Sequence, residues 1–422
     1  MKKFKYILLT ICLYPLLHAC NKFEDMPETS VNERINERMD EYQRYLSSSE
    51  HGWKAYLLTK SGLQKNFTFK FDDKNRVWTT LEDDVTDTEQ SSYRLKYLQR
   101  PSLLFDTYSL LHKLADPNPE VYNGEWAEGM KSDFEFAFMN ATADRIELKG
   151  LYNESKLILI KAKSSQDLQN TFLDNDALIG EIMKLRTYFK RTIIDDKEYE
   201  VDLNGGVRRF ALIEYIDGFA KRTESSFYIV GDEVHFYTPL VLGKDSIKTL
   251  NDVKFDAAAG YVTATMGSAQ LKISEAIEPL YYDKTAVNRF WASGRQLSYT
   301  PWVADGVQDY LNDASITAGT GLNQRVGILG YNPAYDLIGY AADYSLYFGT
   351  AIAKTIDPNS GLIKYTFLGS LGTIPAAYRN IILQTALNFA DPKGLYVIEK
   401  GASNYDLVTA TDARKWISFG PL

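Results

Sequence analysis

Cysteine and histidine are scarce in this sequence of 422 residues, which has two of the former and four of the latter. Disulfide frameworks and zinc sites are built mainly from these two residue types. The cysteines are Cys12 and Cys20, and neither a His-Glu-x-x-His motif nor a set of closely spaced cysteines is present. A disulfide framework and a zinc site with sequence-local ligands are therefore excluded, and we predict no metal and no cofactor.

Sequence motifs for catalysis are also missing. There is no Gly-x-Ser-x-Gly nucleophile elbow, and Gly319, Gly321, Gly327 and Gly330 do not form a dinucleotide-binding fingerprint. The segment Asp174-Asn175-Asp176 resembles the start of a calcium loop but lacks the glycine that such a loop needs at its sixth position. Acidic residues are too numerous for any one pair to indicate a glycosidase. We therefore predict that the protein is not an enzyme.

Clustered positive charge is missing outside the N-terminus. The formal net charge is −8, and no basic block follows Lys2, Lys3 and Lys5. Nucleic-acid binding needs a positive surface, so nucleic acid is not an expected partner. No later apolar run is long enough to span a bilayer as a helix.

The N-terminus has the pattern of an export signal. Three lysines precede an apolar stretch from Tyr6 to Leu17, and Leu17-His18-Ala19-Cys20 resembles a bacterial lipobox, although His18 departs from the usual small residue. We predict a signal peptide at 1–19, lipid on Cys20, and an anchor and tether at 20–29. An outer-membrane location facing the cell exterior is expected, because Glu24-Asp25 resembles the surface-export signal of Bacteroidetes lipoproteins.

Hydrophobic periodicity predicts a mainly β fold with α insertions. Helical spacing begins near residue 31, strict alternation follows in Asn66–Asp72, and Ser165 to about Arg191 reads as a helical connector. We predict an N-terminal helix plus β domain at 30–163, a connector plus second β meander at 164–278, and an α+β region at 279–422. The antiparallel meanders should form sandwich-like or barrel-like units.

Aromatic residues are abundant: 29 tyrosines, 21 phenylalanines and 6 tryptophans. Such rings bind ligands or partners when exposed, and they fill β cores when buried. The candidate ligand- or partner-binding residues are Trp302, Tyr331, Tyr335, Tyr340 and Tyr344, and core packing is the alternative. A separate candidate is Ser246, because Asp245-Ser246-Ile247 resembles the O-glycosylation acceptor motif of Bacteroidetes.

Several segments, in this order and spacing, resemble the DUF4302 family of Bacteroidetes lipoproteins. They are Glu50-His51-Gly52-Trp53, Phe67–Asp72, Leu103–Tyr108 with His112, Ser132–Phe136 and Asp144–Gly150. His112, Asp106 and Asp133 match recurrent family positions, and we interpret them as structural. The resemblance implies an association with SusC/SusD-type outer-membrane transporters, and it supplies no catalytic residues.

These observations lead to one expected function and two alternatives. We expect a non-catalytic accessory lipoprotein of a SusC/SusD-type uptake system that binds a partner or a ligand, with peptides favoured over glycans. The alternatives are an extracellular hydrolase of peptide or glycan and a structural or adhesion lipoprotein.

Overall fold

The computed structural model describes residues 31–294, 296–298, 302–304, 307–308, 325–342, 345–374, 376, 379–401 and 403–421. Cys20, Tyr344, the predicted signal peptide and the predicted tether lie outside the described residues. The chain divides into two compact units, whose described parts lie within 31–61 and 65–168 and within 62–64 and 169–421. The predicted mainly β class is confirmed, since antiparallel sheets dominate and two of them close into barrels.

The first unit contains an eight-stranded closed barrel, called barrel 1. Its strands pair in sequence order, and the first closes on the last through the register Trp53↔Lys161. The strands are β1 (Trp53–Leu58), β2 (Gln64–Phe71), β3 (Arg76–Leu81), β4 (Asp84–Tyr97), β5 (Pro101–Phe105), β6 (Glu135–Ala141), β7 (Arg145–Gly150) and β8 (Lys156–Lys161).

Phenylalanines fill the core of barrel 1. Alternation along β2 buries Phe67, Phe69 and Phe71 together, as a period of two requires. The Phe69 ring centroid lies 5.4 Å from that of Phe105, and the Phe105 centroid lies 6.3 Å from that of Phe136. Because aromatic rings fill this core, the surfaces on which barrel 1 can bind a ligand are its two ends and its outside.

Helix α1 (Val31–Ser47) precedes the barrel and packs against it. The Tyr42 ring stacks on Phe138 with centroids 4.1 Å apart. At the end of the helix, the buried indole of Trp53 donates a hydrogen bond to the carbonyl oxygen of Leu46 at 2.9 Å. The predicted N-terminal helix is thus part of the barrel 1 unit.

Antiparallel pairing of consecutive strands places alternate connections at opposite ends of barrel 1. The connections β1–β2, β3–β4, β5–β6 and β7–β8 therefore share one end, which we call the loop end. The β5–β6 connection is the longest, at residues 106–134, and it carries helices α2 (Leu110–Ala115) and α3 (Pro119–Tyr122).

Helix α4 (Ser165–Ile182) is shorter than the sequence predicts. The predicted connector continued to about Arg191, but Phe189 begins a strand instead. Apolar residues continue at helical spacing through Leu185 and Phe189, which predicts a longer helix. The prediction is wrong beyond Ile182, because Thr187–Ile194 is rich in β-branched and aromatic residues that favour strands. Leu178 and Ile182 belong to the core of the second barrel.

The second unit contains barrel 2, which is also closed by eight antiparallel strands. They are β9 (Phe189–Ile194), β10 (Lys197–Asn204), β11 (Arg209–Ile216), β12 (Phe219–Val230), β13 (Glu233–Leu242), β14 (Asp245–Asp256), β15 (Tyr261–Met266) and β16 (Ala269–Ala276).

A ten-stranded sheet completes the second unit, together with helices α5 (Ala286–Ala292) and α6 (Arg379–Phe389). Its strands are β17 (Gln296–Ser298), β18 (Val303–Ala304), β19 (Val307–Gln308), β20 (Arg325–Asn332), β21 (Tyr335–Ala342), β22 (Ser345–Ile356), β23 (Ile363–Leu371), β24 (Leu395–Gly401), β25 (Asn404–Thr409) and β26 (Lys415–Pro421). It packs on barrel 2 through aromatic contacts, such as Phe189 with Tyr396 at a centroid distance of 5.6 Å.

The predicted segments 30–163, 164–278 and 279–422 each contain one of the three sheets. Their status as separate domains stays a prediction.

Within the described residues, no helix is both long enough and apolar enough to cross a membrane.

Candidate binding site at the loop end of barrel 1

A cavity of about 740 Å³ lies at the loop end of barrel 1. Its volume is within the usual range of ligand pockets, roughly 300–1,000 Å³. Three of the four connections at this end contribute to it, which explains how residues distant in sequence meet. The lining residues are Lys60, Ala115, Pro117, Ala127, Glu128, Lys131, Ser132, Asp133, Phe134, Glu135, Leu151, Tyr152 and Asn153.

Asp133 holds the β7–β8 connection in place. Its carboxylate is 4% exposed and accepts hydrogen bonds from the backbone N–H groups of Tyr152 at 2.9 Å, Asn153 at 2.8 Å and Ser155 at 3.0 Å. The Asn153 amide in turn donates to the carbonyl oxygen of Ser132 at 2.8 Å. The backbone that carries Tyr152 is thus fixed by buried, charge-assisted hydrogen bonds.

The loop from 116 to 131 is held by its own backbone. Glu125 and Gly129 form an antiparallel bridge with two hydrogen bonds of 2.9 Å, and the Ala127 N–H donates to the carbonyl oxygen of Pro117 at 2.9 Å. Ala127 and Lys131 adopt positive φ values of 65° and 51°, which are rare for residues other than glycine. Strained backbone persists where surrounding contacts impose it, and such residues concentrate at ligand-binding segments.

Two large aromatic side chains project into solvent from these segments. Trp126 is 79% exposed at the bridge between Glu125 and Gly129, and Tyr152 is 88% exposed on the turn held by Asp133. Aromatic rings of this size are usually at least partly buried. A fixed backbone with an exposed ring is the arrangement of a contact residue, because little ordering of the chain remains to be done on binding.

Charges at the rim are paired. Lys131 Nζ lies 2.8 Å from a carboxylate oxygen of Glu125 and 2.8 Å from one of Glu128. These hydrogen bonds raise the pKa of Lys131, and the bond from Lys131 lowers the pKa of Glu128. Lys131 and Glu128 therefore remain charged at neutral pH and present both signs in the segment that carries Trp126.

The family model for DUF4302, described as a domain of unknown function, matches residues 23–256. The chain belongs to the DUF4302 family. The matched region covers barrel 1 and most of the strands of barrel 2.

No curated protein matches this DUF4302 sequence. Among solved structures, the chain is 7% identical to the DNA polymerase III β subunit of Thermotoga maritima, over 92% of this chain and 98% of that one, with a TM-score of 0.13. It is 12% identical to the DNA polymerase sliding clamp of Caulobacter crescentus, over 90% and 96% of the chains, with a TM-score of 0.16. Scores this low carry no argument about fold or function.

The three positions that recur in DUF4302 proteins have structural contacts here. Asp106 pairs with Arg94, and Asp133 holds the β7–β8 turn. His112 Nδ1 accepts a hydrogen bond from the backbone N–H of Ser109, the residue that caps the N-terminus of helix α2. The imidazole ring also stacks on Phe134, with ring centroids 4.1 Å apart. Burial lowers the pKa of His112. The structural interpretation of these residues is supported, although Asp133 also shapes the cavity.

Of the sequence-predicted aromatic residues, the two whose side chains the structure describes, Trp302 and Tyr335, do not line the cavity at the loop end. Trp302 is completely buried, and its ring packs edge-on against Phe389 with centroids 4.8 Å apart. Its burial favours the alternative of core packing, because a large ring excluded from water contributes to the core rather than to a surface.

Tyr331, Tyr335 and Tyr340 lie on strands of the third sheet. Tyr335 is partly buried at the start of β21, where its backbone N–H donates to Asn332 Oδ1 at 3.1 Å. Tyr331 lies in β20 and Tyr340 in β21, but their side chains, like the whole of Tyr344, fall outside the described residues. Their binding role stays a prediction.

Ser246 is exposed at the start of β14, so its side chain is accessible for the predicted O-glycosylation.

Among the described residues, no group of three or more His, Cys, Asp or Glu side chains is arranged to hold a metal ion.

Trp126 and Tyr152 are not predicted by aromatic clustering, because neither belongs to a cluster of aromatic residues in the sequence. A signal for Trp126 was present: it lies in Gly124-Glu125-Trp126-Ala127-Glu128-Gly129, between glycines and charges, with no large apolar residue within three positions on either side. Such isolation is typical of an exposed loop tip.

Proposed function

We propose that this protein is a surface-exposed, lipid-anchored accessory protein of a SusC/SusD-type outer-membrane uptake system, which binds a ligand or a partner without catalysing a reaction. The observation that carries the proposal is a cavity of about 740 Å³ lined by the exposed Tyr152, with a second exposed ring, Trp126, on the residue that precedes the lining Ala127. Tryptophan and tyrosine dominate binding energy at recognition sites, because they bury large areas with few rotatable bonds.

A lipid anchor adds to this argument. A protein held by Cys20 shares a two-dimensional surface with its transporter, so the effective concentration of each near the other is high. Modest affinity at the loop end of barrel 1 would then suffice for function. The acidic residues Glu24 and Asp25, close to the anchor, support the outer face of the membrane as its location.

Co-purification from native outer membranes tests the proposal. The tagged full-length protein, solubilised gently, should carry a SusC/SusD-type pair identifiable by mass spectrometry. The double variant Trp126→Ala/Tyr152→Ala should weaken that complex or the binding of its ligand. A matched control is Tyr97→Ala, since Tyr97 is 48% exposed next to the β4–β5 connection, at the opposite end of barrel 1.

Two results would contradict the proposal. Recovery of the wild-type protein without any transporter component would remove the uptake role. Turnover of peptide or glycan by the purified protein, abolished by a single substitution such as Glu128→Gln, would establish an enzyme instead.

A further inference from the structure

The closure of barrel 1 removes the commonest way in which sheets bind peptides. Extended peptides often add as a strand to the open edge of a sheet, where backbone groups lack partners. Every strand of barrel 1 has two hydrogen-bonded neighbours, and β1 and β8 pair over all six residues from Trp53↔Lys161 to Leu58↔Lys156. A peptide at this unit would therefore not be expected to bind as an added strand of the sheet.

The capture of a peptide terminus by Lys131 or Asp133 is disfavoured as well. A carboxylate terminus needs an available cation, but the ammonium group of Lys131 already contacts both Glu125 and Glu128. An amino terminus needs an available carboxylate, but the buried Asp133 already accepts three backbone N–H groups. These charges support the loops and are not free to define a peptide end.

Flat exposed rings suit a different class of ligand. The face of an aromatic ring carries partial negative charge, so it attracts the weakly positive C–H groups that line one face of a pyranose sugar. Trp126 and Tyr152 offer such faces at 79% and 88% exposure. Stacking of this kind needs no deep apolar pocket, and the lining of the cavity combines apolar side chains, such as Phe134 and Leu151, with charged and amide groups.

The remaining polar groups of the cavity suit sugar hydroxyls. A hydroxyl both donates and accepts, and it pairs well with carboxylates, amides and ammonium groups. Glu135 and Glu128 supply carboxylates, Asn153 supplies an amide oxygen, and Lys60 supplies an ammonium group from the β1–β2 connection. Glu128, Asn153 and Lys60 lie in three different connections and Glu135 begins β6, so these groups surround the cavity from several sides.

We infer that the loop end of barrel 1 is a saccharide-binding site, in which Trp126 and Tyr152 stack on sugar rings and Glu128, Glu135 and Asn153 bind hydroxyls. This inference rests on the proposed function as a binding protein, and it names a glycan where the sequence alone favoured a peptide. A proline-rich peptide on the same rings is the competing ligand, and the test below separates the two.

Affinity electrophoresis of the detergent-solubilised full-length protein tests the inference. Native gels would contain xylan, mannan, pullulan or polygalacturonate, and a parallel gel would contain a casein digest supplemented with polyproline. We expect at least one polysaccharide to retard the wild type. Trp126→Ala and Tyr152→Ala should each weaken that retardation about tenfold, as expected when a ring that carries much of the contact is lost. Tyr97→Ala should leave it unchanged.

A folding check keeps the result interpretable. Both rings are exposed, so circular dichroism and thermal unfolding of the alanine variants should match the wild type. Retardation by the peptide gel alone, lost in the same variants, would overturn the saccharide inference and leave the proposed binding function intact. The absence of retardation by every polysaccharide would also overturn it, and the co-purification experiment would still judge the association with a transporter. Retardation that all three variants retain would place the saccharide elsewhere and overturn the site.

Discussion

The carboxylate of Asp133 occupies the space in which residue 150 would carry a Cβ atom. A Cβ built on Gly150 would lie 2.0 Å from Asp133 Oδ2 and 2.3 Å from its Cγ. Glycine at this position therefore lets the carboxylate reach the N–H groups of Tyr152, Asn153 and Ser155. Both residues belong to segments that resemble the DUF4302 family, and together they set the turn that presents Tyr152.

Gly150→Ala should destabilise barrel 1 by about 3 kcal/mol, because the added methyl must displace a buried carboxylate and break its hydrogen bonds. Gly180→Ala is a matched control, since Gly180 lies in helix α4 and a Cβ there has nothing within 4 Å. That variant should be stabilised by roughly 0.5–1 kcal/mol through helix propensity. Denaturant-dependent hydrogen exchange of β7 and β8 measures the first effect, and equal exchange in Gly150→Ala and the wild type would refute it.

His112 predicts a loss of stability in mild acid. Burial lowers its pKa from the ordinary 6.5, so the unfolded chain binds a proton more readily than the folded chain. The folded state is unaffected above about pH 6.5 and is increasingly disfavoured as the pH falls below that value. In His112→Phe the ring stacked on Phe134 is kept and the titration is removed. The unfolding free energy of the wild type should therefore decline more steeply between pH 7 and pH 5 than that of the variant, and parallel profiles would exclude this role.

Lys190 predicts a gain of stability in mild alkali. Its ammonium group is buried and donates to the carbonyl oxygen of Thr187 at 2.6 Å, and burial lowers its pKa from 10.5 to about 8. The unfolded chain holds this proton more tightly, so the protein gains stability as the pH rises from about 8 to 10.5.

Lys190→Met removes that titration while keeping an unbranched side chain of similar length. Relative to this variant, the wild type should gain up to about 3 kcal/mol across the interval. Urea unfolding of both proteins at pH 7, 8.5 and 10 measures the difference. A constant difference at the three pH values would show that the ammonium group is not destabilised by burial.

The lipobox predicts a mature protein that begins with lipid-modified Cys20. Mass spectrometry of the native N-terminus should find the modification, and Cys20→Ala should release the protein from the membrane or leave it unprocessed. Proteinase added to whole cells should degrade the wild type while a periplasmic marker survives, as expected for the outer face. A mature N-terminus at another residue would remove the anchor, and equal protection of both proteins would place this one in the periplasm.

The sequence predicts local elements of this fold because their signals are local. The alternation of Asn66–Asp72 predicts a half-buried strand, and β2 ends one residue before that segment does. Barrel closure is different, because it depends on the pairing of Trp53 with Lys161, which no local pattern encodes. The sequence therefore predicts sandwich-like or barrel-like meanders, and only the register of the first and last strands decides between them.

The site was harder to predict than the fold for the same reason. Lys60, Ala127 and Tyr152 line one cavity because the antiparallel strand order brings three connections to one end of barrel 1. The three residues are far apart in sequence, so no local pattern predicts that they share a site. Clustering of aromatics led instead to Trp302, which is buried. In a β-rich chain, adjacent aromatics mostly share strands and cores, whereas an isolated aromatic between glycines and charges marks an exposed contact.

Ser246 should be O-glycosylated in its native cells. The acceptor segment Asp245-Ser246-Ile247 begins β14, where Asp245 and Ser246 are exposed and Ile247 is buried, so the hydroxyl faces solvent while the strand stays anchored. Peptide mass spectrometry should find the added sugar on Ser246. Ser246→Ala should abolish it, Ser246→Thr should retain it because the motif accepts either hydroxyl, and neither change should shift stability by more than about 0.5 kcal/mol. An unmodified Ser246, in cells whose other glycoproteins carry the sugar, would show that the three-residue match is fortuitous.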